Sequence, residues 1–514
     1  GDNLNLIANG EISANMLTAD TSVVLSGSDI SLNGSVSVLE NEGSLAVNVE
    51  ATGSLEINDA VSAVAGDANV FAGDVSFNAN RIAQAENANV TGRDVTYIST
   101  QAITTSATID ALASLSINAG DTFNMNAANQ DYGLQAADLR VETVNDMNLR
   151  TLNADTITLI SQQGNINFLN NVTSTQQLLI TATNGTVNQI ADAVFQSNEG
   201  DIDVTSDIAL LNGNLIAENG NVLLSTTQNT VLAGVVDAQS LVATAGRDFD
   251  MQRTSLVNID ENASITSGGD VSLSTILGNI EESTVTLIAD GVILDNVADE
   301  TNIVASSLVV ESGSGFGVYA SDRIETSVGS VSIRNNAGAI AISNDRSLSV
   351  ESMLTNGRID LFVAEGDLTI VNPDPESRYD RSAESALDAG GIISAGFDRG
   401  DVSIIVDNGM LRVDGDGIGN LYHPEIVGDT GYIETETGFG EDGKPVTVYF
   451  QTDLSIRGPG YYPEYAFLTQ PENGLDTGGG VLSESTSILI GGSDLVLEVE
   501  SIEQIDPAVF TEVR

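Results

Sequence analysis

A glycine followed by Asp, Asn or Ser, and then by a short apolar–polar alternation, recurs along most of this chain. Copies include "GSDISLN" at 27–33, "GSLEIND" at 53–59, "GDVSFNA" at 73–79, "GDIDVTS" at 200–206, "GDVSLST" at 269–275, "GDLTIVN" at 366–372 and "GDVSIIV" at 400–406. Alternation over so few residues specifies a strand with one buried face. Glycine supplies the positive φ of a tight corner, and the Asp or Asn side chain can close that corner on itself. Gly53 to Gly73 is 20 residues, Gly73 to Gly92 is 19, Gly200 to Gly220 is 20, and Gly246 to Gly269 is 23. A repeat of that length builds a stack of similar units rather than a globule.

The unit has no apolar i, i+3, i+4, i+7 pattern sustained over three helical turns. It also lacks the leucine spacing of leucine-rich repeats and the aromatic signature of propeller blades. The architecture expected is all-β: a right-handed parallel β-helix, or β-solenoid, with about 20 residues per coil. One coil cannot bury its apolar face alone, but stacking at ~4.8 Å pairs every backbone group with the coils on either side. Ile30, Leu32, Val75, Phe77, Ile202, Val204, Val271 and Leu273 should point inward. In "GGDVSLSTILGN", Ser272 and Ser274 should point outward, with Gly278-Asn279 beginning the next strand.

Proline marks the main boundary. All eight prolines lie between Pro373 and Pro507, and proline cannot donate to a sheet ladder. Residues 1–372 therefore read as the β-helix, about 17 coils at the ~4.8 Å spacing. Residues 373–421 read as an irregular continuation with loop insertions, residues 372–390 being an exposed loop or short helix. Residues 422–514 read as a Tyr/Pro-rich β module with terminal strands, antiparallel in appearance over 422–471 and suited to capping an open sheet edge.

The 73 acidic residues outnumber the 17 basic ones, for a net charge of −56, and Lys444 is the single lysine. Such a surface repels nucleic acid and anionic membranes, and no apolar run is long enough to insert in a bilayer. The chain contains no cysteine, which leaves no disulfide or thiolate site. An acidic, repetitive, Cys-free chain fits an extracellular or cell-surface setting. The start in mid-pattern at Gly1-Asp2-Asn3-Leu4 and the end at Arg514 suggest a piece of a larger protein.

Chemical candidates are few. His423 is the lone histidine and has no evident general-base partner. Clustered aspartates could serve glycan cleavage, but the first 372 residues contain no Lys and no Trp to hold a sugar. No catalytic residue and no resident cofactor is assigned, and the chain is not expected to be an enzyme. Asp414, Asp416 and Asn420 in "VDGDGIGN" set oxygen ligands in a Gly-rich loop that could take calcium; a hydrogen-bonded turn is the alternative. Arg399-Gly400-Asp401 is an adhesion-type tripeptide, yet Gly-Asp is also the ordinary corner here. Gly269-Asp270 likewise reads as a corner. A single lysine leaves no scope for isopeptide stapling, and no coil-by-coil threonine array of the ice-binding kind is present.

The run 301–345 carries Ala305, Leu308, Val310, Gly315 and Gly317, then Ile324, Thr326 and Val328, then Gly338, Ile340 and Ile342. This order resembles the β-strand repeats of giant bacterial secreted and surface proteins, broadly filamentous-haemagglutinin-like. The resemblance implies an extracellular β-helical shaft, structural or adhesive, used in matrix or filament formation and often part of a very long polypeptide. The proline-free solenoid adds the expectation that it stacks end to end or against neighbouring segments of the same protein. A glycan or other cell-surface ligand is a further expected partner. A glycan-binding or glycan-cleaving β-helix is the competing expectation.

Overall fold

A computed structural model describes residues 3–39, 45–63, 73–126, 132–297, 300–318, 323–371, 385, 387, 392–396, 400–414, 425–439, 446, 448–457, 465–468, 475–476 and 487–490. The chain divides into two compact units, Gly1–Gly246 and Arg247–Arg514. Each is a parallel β-solenoid.

In the first unit every coil contributes to three columns of stacked strands. One column begins Asn3–Ile7, Ser22–Gly27, Leu45–Ala51, Asp74–Ala79 and continues into Val90–Ser99 and Ile109–Ala119. A second runs Ile12–Ala14, Ile30–Leu32, Ser54–Ile57, Arg81–Gln84, Ile103–Thr105 and Phe123–Met125. The third starts Leu17–Ala19, Val36–Val38 and Val61–Ser62. Pairing in register makes like sit on like, so Val75, Val95, Leu115, Leu139 and Ile157 form one inward ladder. All eight residues expected inward are buried in this way.

Two pairs of aromatic rings meet in the core of the first unit. Phe77 meets Tyr97 edge-on at 5.0 Å, and Phe168 meets Phe195 at 4.5 Å. Burial pushes the Tyr97 phenol well above its usual range, so its hydroxyl stays protonated and donates to Gln84 Oε1 at 3.1 Å. Thr105 Oγ1 donates to the same oxygen at 3.0 Å, and Gln84 Nε2 donates to the Ala88 carbonyl at 2.7 Å. The polar tip of a buried tyrosine is thus satisfied within the core.

The last inward position before the corner is always small: Ala79, Ser99, Ala119, Thr143, Ser161 and Ala182 lie in register. Hydroxyls at these sites bond the turning backbone, Ser99 Oγ to the Asn80 carbonyl at 2.7 Å and Ser161 Oγ to the Gly164 carbonyl at 2.9 Å.

The second unit stacks Phe249–Met251, Val271–Leu273, Val292–Asp295, Gly315–Phe316, Ile340–Asn344, Ile359–Glu365, Val402–Asn408 and Ile426–Thr435 in one column. Pairing carries past the first proline: Leu348–Leu354 pairs in parallel with both Leu368–Val371 and Ile393–Ser394. Most of 372–390 lies outside the described residues. Within 422–471 the described strands correct the antiparallel expectation. Ile426–Thr435 pairs in parallel with Val448–Arg457, which pairs in parallel with Tyr465–Leu468. Aromatic residues there keep the same parallel register, Tyr432 opposite Ser403 and Phe450 opposite Gly428.

The corners also correct the reading of their glycines. Positive φ does occur, as at Gly366 with φ 84°. At Gly200, φ lies outside the left-handed region; an added Cβ would instead sit 1.6 Å from the Gln176 carbonyl oxygen of the preceding coil. Close stacking of backbone on backbone, more than turn handedness, demands glycine there. Two further local expectations fail. Ser274 is buried, its hydroxyl donating to the Ser255 carbonyl at 2.7 Å. Gly278 follows the strand Thr275–Leu277 rather than opening one, its N–H donating to the Val304 carbonyl at 2.7 Å.

Candidate functional site

Many corner carboxylates and amides bond between coils; a few, such as Asn279, whose Oδ1 accepts the Glu281 N–H at 3.0 Å, close their own turn. In the first unit, Asp29 Oδ1 accepts the Ser54 N–H at 2.8 Å, Asn165 Oδ1 the Thr186 N–H at 2.8 Å, and Asp201 Oδ1 the Asn221 N–H at 2.8 Å. In the second, Asp248 Oδ1 accepts from Asp270 at 3.1 Å, and Asp270 Oδ1 from Val292 at 2.9 Å. The side chain replaces the ladder acceptor that the bent backbone cannot present, satisfying a donor that would otherwise go unpaired. Gly269-Asp270 is therefore a construction element.

The adhesion-type tripeptide is partly described. Asp401 accepts the Thr430 hydroxyl and lies 3.9 Å from the Arg358 guanidinium. A Cβ on Gly400 would stand 1.8 Å from the Gly357 carbonyl oxygen. Gly400-Asp401 thus does the work of a corner; Arg399 lies outside the described residues. Asp414 ends the strand Met410–Asp414 with its backbone opposite Val371, while Asp416, Asn420, His423 and Lys444 lie outside the described residues. Among the described residues no group of three or more His, Cys, Asp or Glu is placed to hold a metal ion.

The densest outward chemistry falls on a face that none of these motifs marked. Along Ile359–Glu365 the outward residues are Asp360 and Phe362, opposite Ser403 and Ile405 of Val402–Asn408. These in turn lie opposite Tyr432 and Glu434 of Ile426–Thr435. Many outward positions elsewhere hold Ser, Thr or Asn, as at Ser76, Thr96 and Ser116. Arg323 lies against this face. Its Nη2 bonds Asp360 Oδ1 at 3.0 Å, its Nε bonds Oδ2 at 3.2 Å, and its guanidinium carbon stands 5.4 Å from the centre of the Phe362 ring.

Two-point contact between guanidinium and carboxylate fixes orientation as well as charge, and the Phe362 ring face adds a cation–π contact. The Asp360 side chain is only 3% exposed although it points away from the core. The Tyr432 hydroxyl donates to Glu434. A sequence signal existed in "GRIDLF", whose outward positions carry Arg358, Asp360 and Phe362 instead of hydroxyls. Arg323, 37 residues from Asp360, could not have been joined to it by spacing.

No helix among the described residues is long and apolar enough to cross a membrane. No protein-family model, curated protein or solved structure matches the chain. The fold and the chemistry of its surface are what bear on function.

Proposed function

We propose that the protein is a structural or adhesive extracellular β-helical shaft, a building block of a filament or matrix within a larger exoprotein. The observation that supports this reading is the use of its acidic and amide corner residues. The groups that catalysis or metal binding would recruit, Asp29, Asp201, Asp248 and Asp270 among them, are engaged in joining one coil to the next. Parallel strands in constant register also present unpaired N–H and C=O groups at any open edge, which a further coil can take up. Electron microscopy of the purified protein at neutral pH is expected to show elongated assemblies. A uniform field of single short particles at high concentration would remove the filament part of the proposal.

A second reading, glycan binding, is favoured by one observation. Phe362 and Tyr432 stand outward beside carboxylates and Arg323, a pairing of ring faces and polar groups suited to a polar ligand with apolar patches. A screen against acidic and neutral polysaccharides is expected to give a hit that Phe362→Ala weakens. A clean negative, or a hit indifferent to that substitution, retires the reading.

A further inference from the structure

A different face of the first unit breaks the rule that outward positions are polar. The strands Val172–Gln189, Ile202–Leu211, Asn214–Thr226 and Val235–Ala245 stack in register with Leu179 opposite Asp203, Asp203 opposite Leu223, and Leu223 opposite Val242. All four side chains point outward, between inward neighbours such as Ile180, Val204, Leu224 and Ala243, which are buried. Leu179 and Leu223 are half-buried, and Val242 is 45% exposed. This is an aliphatic stripe along the stacking direction with one carboxylate set in it.

Asp203 differs from the corner aspartates. Asp201, two residues earlier, has its carboxylate on Asn221, whose N–H and side-chain amide donate to it at 2.8 and 3.0 Å. Asp203 joins no coil to the next. Desolvation between the two leucines pushes its carboxyl up; the Thr205 hydroxyl opposes this, and the Asp201 charge adds to the rise. Outward groups around it are Gln177 and Thr181 on one neighbouring strand and Asn221 and Ser225 on the other. The other charged groups at outward positions of these strands, Asp207, Glu218 and Asp237, are carboxylates like Asp201 at the preceding corner, and none of those positions holds a cation. The fold gains nothing from the Asp203 charge, since a partly buried carboxylate without a cationic partner is a cost.

We infer that the stripe Leu179–Asp203–Leu223–Val242 is a docking surface for a cationic amphipathic segment of another polypeptide, one carrying a Lys or Arg between aliphatic side chains. Charge complementarity selects this occupant. A second copy of the chain, at net charge −56 with one lysine, would bring carboxylates against carboxylates. Size agrees as well. Four strands at ~4.8 Å by five residues at ~3.3 Å offer roughly 300 Å², short of the ~800 Å² per partner of a standard protein interface but enough for a single segment. A cation over Asp203 would restore the stabilisation that burial removes from its charged form, and the aliphatic neighbours would exclude water from the pair.

The test uses the whole protein and a short amphipathic peptide of leucine, alanine and lysine. Calorimetry is run at physiological salt, where exposed charges are screened beyond about 8 Å. The peptide is expected to bind, and Leu223→Ser and Asp203→Asn are each expected to weaken it about tenfold. Exchanging its lysines for glutamates should abolish binding. Thermal melts supply the second readout. Because the folded Asp203 carboxyl is raised above its unfolded value of about 3.9, its folded form takes up a proton more readily, and stability rises as pH falls through the raised value. Asp203→Asn should therefore melt higher than the parent at neutral pH while binding less, and that advantage should shrink in acid. No binding at all, or equal binding by parent and both variants, which would mark bulk charge attraction, overturns the inference.

Discussion

Phe195→Ala is expected to destabilise the first unit by about 3–5 kcal/mol, the range for truncating a buried aromatic. Phe195 is fully buried and packs edge-on against Phe168 with ring centres 4.5 Å apart. Its backbone neighbours are fixed on both sides, opposite Val172 in one coil and Leu215 in the next. In a globular core a helix or loop can slide inward to fill part of such a cavity. Here the strands on each side are held at ladder spacing by hydrogen bonds, so the void stays open and its lining loses dispersion contacts outright. The loss should also be local, because stability in a stacked repeat is a sum over neighbouring coils. Hydrogen exchange should speed up in Val172–Gln189, Val194–Ser197 and Asn214–Thr226. The strands Ser22–Gly27 and Leu45–Ala51 should keep their protection. An unchanged denaturation midpoint would show that the core relaxes in a way this ladder geometry does not allow.

Arg323→Ala is expected to cost the second unit about 3–5 kcal/mol, the range for breaking a buried ion pair by deleting one partner. Its guanidinium meets both oxygens of Asp360, whose side chain is 3% exposed. Deleting the cation leaves the carboxylate desolvated, while the Phe362 ring loses the charge over its face. A double replacement, Arg323→Met with Asp360→Leu, should recover most of the loss, since two apolar groups of similar volume need no compensation. Denaturant midpoints of the parent, single and double variants form the measurement. A harmless Arg323→Ala would mean that Asp360 is neutral or reached by water. A double variant no better than the single would mean that the pair supplies specific geometry to the outer face.

The winding was legible in the sequence because each coil repeats the same physical problem. Ile30, Leu32, Val75, Phe77, Ile202, Val204, Val271 and Leu273 sit inside as alternation requires. Corner glycines were legible in position but not in cause: the contact that demands glycine at Gly200 is with Gln176 of another coil. Ser274 was misplaced for a related reason, since a hydroxyl at a bend can be buried when the neighbouring coil supplies a carbonyl. The parallel course of 426–457 was obscured by its aromatic composition, which reports side-chain size and not strand direction.

The surface was less legible than the core. Period-two alternation states which residues face out, but not which outward residues of different coils lie together. Leu179, Asp203, Leu223 and Val242 are each unremarked single positions in the chain, and register alone makes them one stripe. Arg323 and Asp360 meet 37 residues apart, beyond the single-coil interval that the repeat reveals. By itself the sequence determined the stacked parallel coil, through short alternating runs that can bury their apolar face only against a copy of themselves. The tertiary structure alone decided what the corners bond to and which outward side chains share a face, because both depend on the lateral register between coils. That register is set by hydrogen bonds between distant segments, which no local pattern encodes.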